Sequence, residues 1–282
     1  MFVTIGSRAG RGVQSRARSG SSSGREVLTA DRTYYVRTDG ADSNNGLSDH
    51  SGGAFLTLQK ALNVALALDC SIYNVIINVG AGTYTAGISM QAQHLGSGSI
   101  TFVGDISTPG NCVISLTSDT CVAVGNNAKL SVTGFRLVNT GGPCISVASG
   151  GFLSLGPMSY GTATGSAHIA ASTGGSVSIG ANYTVDGGAN WHFVVSDFGT
   201  IQVSSVTVTV SSMPAFASSF CQSTRHGLWW GNPTFSGSAT GARYSADSLG
   251  VIQTFGGGAS YFPGSIAGSG SNPGVSPYGS YT

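Results

Sequence analysis

Four sets of side chains in this sequence could do chemistry: the oxygen-rich cluster Asp39, Asp42, Asn44 and Asn45, the evenly spaced Cys121, Cys144, His168 and His192, the scattered Asp105, Asp119, Asp186, Asp197 and Asp247, and the adjacent indoles Trp229 and Trp230. Carboxylates and amide carbonyls suit a hard cation such as calcium. Asp39 and Asp42 are three apart, however, and the chain's one glutamate is Glu26, so the alternating ligands and closing Glu of an EF-hand loop are missing. A turn is the preferred reading: Asp and Asn side chains bond to nearby backbone N–H groups while Gly40 and Gly46 take positive φ. No metal and no cofactor is expected.

The Cys and His residues recur at intervals of 23, 24 and 24. If one interval is one coil, they stack along one strand position, expected to face outward. Four residues in a straight ladder span about 14 Å at ~4.8 Å per coil, whereas one zinc ion needs ligands at roughly 2.0–2.3 Å. Stacking, with a subunit contact as one setting for it, is preferred to metal or a disulfide. Glycoside cleavage needs two carboxylates roughly 5–9.5 Å apart. None of the five aspartates is paired at short spacing, and Asp105, Asp119 and Arg136 are the set that adjacent coils could gather into a lyase-like constellation. Lone turn aspartates account for them more simply, and no catalytic residue is assigned. Trp229 and Trp230, in HGLWWGNP, are the candidate carbohydrate-binding residues because aromatic faces stack on sugar rings; strand alternation places at least one of them in the core.

These residues need elements to hold them. Only 8% of the chain is charged and 44 residues are Gly, while β-branched and aromatic residues are plentiful. Strands and tight turns must dominate. The five cysteines form no CxxC pair, which argues against a zinc ribbon or a complete disulfide framework. The near-neutral total conceals a basic segment: Arg8, Arg11, Arg16, Arg18 and Arg25 lie in the first 25 residues without an acid, leaving a body of about −4. Residues 1–30 are therefore read as an extended arm that anchors the chain to a larger assembly, with nucleic-acid binding disfavoured for want of interleaved aromatics. No apolar run of signal-peptide or membrane-spanning length occurs, so no membrane association is expected.

Residues 31–72 read as a strand, the Asp/Asn/Gly turn and an amphipathic helix over Phe55–Leu66. From residue 73 the text becomes short β-rich runs with a period. Leu130, Leu153, Val177 and Ile201 fall at intervals of 23, 24 and 24, and Val122, Ile145, Ile169 and Phe193 repeat those intervals. The first beat continues through Leu228 and Ile252, with an insertion placed between Phe216 and Arg225. A unit this short cannot hold a βαβ crossover. It fits an all-β parallel solenoid of about 24 residues per coil over 73–255, capped by the helix, with 256–282 as a Gly-rich tail.

The stretch TYYVRTDGADSNNGL…GGAFLTLQKAL…VIINVGAGTYT resembles the opening of right-handed β-helix proteins of the pectate-lyase type, especially those carried by tailed phages and gene-transfer particles. The ending GARYSADSLGVIQTFGGGASYFPGSIAGS is similar to that of phage fibres and spikes. The resemblance implies a homotrimeric virion surface protein made in the bacterial cytoplasm, docked on other virion proteins by its arm and attached to host surface polysaccharide. The alternatives are a polysaccharide-degrading tailspike and a head fibre, decoration or adaptor protein.

Overall fold

The computed structural model describes residues 24–270 and 279–282. Within them the chain is a parallel β-solenoid of about eight turns and about 25 residues per turn. Each coil contributes one strand to each of three parallel sheets. The first sheet has ten strands, from Arg32–Val36 to Ser280–Tyr281; the second runs from Gly82–Tyr84 to Thr234–Gly237, and the third from Ile88–Met90 to Thr240–Ala246, with seven strands each.

Alternation gives the strands of the first sheet an inward apolar row and an outward, mostly polar one, as in Val75–Val79, where Val75, Ile77 and Val79 are buried. Like residues then stack coil on coil. The first core ladder is Leu130, Leu153, Val177, Ile201, Trp229, Ile252 and Tyr281. The second is Val122, Ile145, Ile169, Phe193, Cys221 and Tyr244.

One expectation in this register is corrected. Ile201 pairs with Trp229, and Leu228 pairs with Thr200 on the outer face. The insertion is one residue longer than the sequence beat assigned, and a one-residue slip exchanges the two faces of a strand. The extra residues enter before and within Ala215–Ser223, around the turn at Ser212 and Met213, where the register of the third sheet shifts.

The corner that leads from the third sheet back to the first is the same in successive coils. Two consecutive residues take positive φ at Asn126–Asn127, Ser149–Gly150, Thr173–Gly174, Asp197–Phe198, Arg225–His226 and Ser248–Leu249. From the second of these corners onward the next residue is Gly, because the chain crosses the coil below so closely that a Cβ would lie 2.2–2.7 Å from a carbonyl oxygen. Those glycines, at 151, 175, 199, 227 and 250, generate the Gly-x-apolar beat of the sequence.

The capping helix occupies Leu58–Leu66 and buries Leu58, Ala61, Leu62 and Ala65 over the N-terminal end of the core. It starts three residues later than its apolar pattern because Thr57 is its N-cap, its hydroxyl accepting from Lys60 N. At the other end, Phe262 is buried against Trp229, and Tyr281 stacks on Tyr244 at 3.7 Å. The coil packing thus runs on past residue 255 into the segment read as a tail.

Candidate functional site

The Asp/Asn/Gly loop is a strut. Asp42 accepts from Leu56 N, Thr57 N and Thr57 Oγ1 at 2.7–2.9 Å, which fixes the start of the helix. Asn44 donates to the carbonyls of Ser51 and Ala54, Asn45 accepts from Leu47 N, and Arg37 bridges Asp39 and Asp49, holding the Asp39 carboxyl below its usual range. Gly46 has φ +75, and a Cβ there would sit 2.1 Å from the Phe55 ring. Gly40 does not take positive φ; it is required because Phe55 O lies 2.4 Å from where its Cβ would be.

The Cys/His ladder faces inward, correcting the outward expectation: Cys121, Cys144, His168 and His192 are all fully buried. The chain bends into the third sheet at this position, so two successive residues, such as His168 and Ile169, both face the core. The four do not converge. The Cys121 thiol donates to Val138 O (3.5 Å), and the neighbouring Cys121 together with burial raises the Cys144 thiol pKa. Beyond them lies a closed relay. His168 Nε2 must donate to Gly161 O (2.7 Å), so its Nδ1 accepts from His192 Nδ1 (3.0 Å), and His192 Nε2 accepts from Tyr183 Oη (2.8 Å). One pair of neutral tautomers satisfies every bond. Burial lowers His168 to about 4 and His192 well below its ordinary value.

The aspartates of the solenoid are dispersed. Asp105 closes its own loop by accepting from Ser107 N, Thr108 N and Asn111 Nδ2, and those bonds keep its carboxyl below the usual range. Arg136 does not meet Asp105 or Asp119. It forms a two-pronged ion pair with Asp186 two coils away and donates to Ser159 Oγ (3.0 Å). Asp197 pairs with Arg225 at 2.7 Å, and Asp247 accepts from Thr224.

Of the arginines assigned to the arm, Arg8, Arg11, Arg16 and Arg18 lie outside the described residues. Arg25 is part of the fold: its Nη1 donates to Leu66 O (2.5 Å) and Leu68 O (3.4 Å), where the helix C-terminus attracts a cation. Leu28 N and Asp69 N complete a bridge around Val27, so residues 25–28, placed in the arm, pack on the helix end and the segment that follows it.

The indole pair divides as alternation requires. Trp229 is 0% exposed, between Phe193 and Phe262, and offers no face to a sugar. Trp230 points outward, in register with Gln202 and Gln253. Its row continues through Ser178, Ser154, Ser131 and Thr101. The neighbouring outward row is Lys129, Phe152, Ser176, Thr200, Leu228, Val251 and Ser280. Among the described residues, the outward positions of the strands from Ile100–Val103 to Val251–Gln253 carry hydroxyls, amides, a few apolar groups and one charge, Lys129. Phe152 and Trp230 stand three coils apart, about 14 Å at ~4.8 Å per coil. Sequence reasoning singled out neither Phe152 nor Lys129; their outward parity followed from the Leu130–Leu153 beat, which was the available signal.

This face presents aromatic surface, of the kind that packs on apolar ring faces, beside short hydroxyl and amide side chains that donate and accept hydrogen bonds. Compared with family models, curated proteins and solved structures, the chain matches none.

Proposed function

We propose that this chain is a structural surface component of a phage or phage-like particle, of the tail-fibre or spike type. In this reading it associates as a homotrimer, docks on other particle proteins through its basic N-terminal segment and attaches to host cell-surface polysaccharide. The observation that supports polysaccharide attachment is the outward face of the ten-stranded sheet, where Phe152 and Trp230 stand among hydroxyl and amide rows with no carboxylate on the strands between them. A sheet of this kind aligns with a glycan chain over several sugar units. Glycoside hydrolysis usually takes a pair of carboxylates at the scissile bond, and the aspartates of the solenoid that have named partners are held by arginines, hydroxyls or their own turns. Weak contacts at one face become useful when several copies engage one surface.

The test is binding of the purified chain to host capsular or lipopolysaccharide glycan. Trp230→Ala is expected to lower affinity roughly tenfold or more at unchanged thermal stability. Trp229→Ala should instead cost roughly 3–5 kcal/mol of stability through the cavity it opens. Binding that is indifferent to Trp230→Ala, or shortening of the glycan during incubation, would overturn the reading.

A further inference from the structure

The outer face is interrupted at one place. The segment that joins Ile88–Met90 to Ile100–Val103 bridges to Asp69 at Leu95, and a groove of about 440 Å³ is lined by this segment and by the strands Lys129–Thr133 and Phe152–Leu155. Its walls are Gln93, His94 and Ser97–Ser99 on one side, and Asn127, Lys129, Ser131 and Phe152 on the other. The segment is pinned: His94 Nε2 donates to Gly98 O at 2.6 Å, and Ser97 Oγ donates to Ser71 O at 3.1 Å. Asn127 enters the groove from a corner where it holds positive φ, the conformation Asn tolerates best after Gly.

The groove holds Lys129, the one charged side chain among the outward positions of the strands from Ile100–Val103 to Val251–Gln253, and its lining residues include no carboxylate. Lys129 is exposed, and the charged pairs in the described residues, such as Arg136–Asp186 and Arg225–Asp197, do not involve it. Phe152, 37% exposed, stands beside it as the next rung of the same row. An aromatic face next to an ammonium, with amides and hydroxyls opposite, matches a sugar ring that bears a carboxylate.

We propose that this groove is the specificity pocket of the polysaccharide face and takes an acidic sugar unit, its carboxylate on Lys129 and its ring on Phe152. Trp230 then holds the same chain about three coils further along the axis. The inference rests on the glycan-binding reading and adds to it a ligand class and a direction.

The probe is an array of microbial capsular glycans, each presented native and carboxyl-reduced, read with the full chain. Native forms are expected to bind roughly tenfold more tightly than reduced forms, with the preference fading as salt rises. Lys129→Gln should abolish the preference while leaving the affinity for reduced forms in place; Lys129→Arg should retain it; Phe152→Ala should weaken both forms. Equal binding of native and reduced forms, or a preference that survives Lys129→Gln, overturns the pocket while Trp230-dependent binding leaves the polysaccharide face intact. An array on which no glycan binds overturns both.

Discussion

Tyr183, His192 and His168 hand hydrogen bonds in one direction to the carbonyl of Gly161, and the order of donors and acceptors admits no added proton. An imidazole titrates near 6.5 when free and at about 4 at His168 in the fold. Between those values the unfolded chain takes up a proton that the folded chain refuses. Stability is therefore full above pH 6.5 and is lost progressively as pH falls toward 4, by about 3 kcal/mol for a shift of this size. Thermal melts from pH 7 to pH 4 should show a falling midpoint, and Tyr183→Phe should be destabilised at every pH because it strands a buried nitrogen. A midpoint that stays level across this range would contradict a neutral relay. The 24-residue spacing of the two histidines predicted their stacking; their inward direction was not legible, because it depends on a bend at the sheet corner that alternation does not encode.

At the scale of elements, the loop from Asp39 to Gly46 and the helix it leads to behave as one unit. Asp42 satisfies two N–H groups and one hydroxyl at the helix entrance. Asp42→Ala is expected to cost about 1–3 kcal/mol, because it leaves the N–H groups of Leu56 and Thr57 and the Thr57 hydroxyl without their carboxylate acceptor, and urea melts of the variant measure it. Calcium or a chelator should leave the wild-type midpoint unchanged, since both carboxylate oxygens of Asp39 and of Asp42 already have protein partners. The sequence showed the strand, turn and helix in correct order, and their existence followed from apolar periodicity and from Gly and Asn in the turn. What it misplaced was the strand after the insertion. The Leu228–Trp230 segment is apolar on both faces, so the packing of Trp229 against Phe193 and Phe262, residues from other coils, decides which side turns inward.

On the scale of the molecule, the solenoid must close both ends of its core. The helix covers one; at the other, Phe262 and the Gly279–Thr282 segment complete a further partial coil, with Thr282 N bonded to Ile252 O. Truncation after residue 255 should bare Trp229, Phe220 and the edge of the first sheet, and light scattering should register self-association absent from the full chain. A monodisperse truncated chain of unchanged stability would show that the tail is dispensable. The period made the stacked coils legible across residues 122–201, where one interval hardly varies. The closing coil was not legible, since its Gly-rich text lacks alternation and its fit depends on aromatic contacts with residues some twenty or more positions earlier.

The hydrogen bonds of all three parallel sheets run along the solenoid axis, from each coil to the next. Tension applied between the two ends therefore loads one coil boundary at a time, like a zip, and each coil that yields releases roughly 80 Å of chain. A rod built this way is stiff against bending and gives way stepwise under pull, so a particle tethered through it would be braked by successive ruptures before the tether itself was taut.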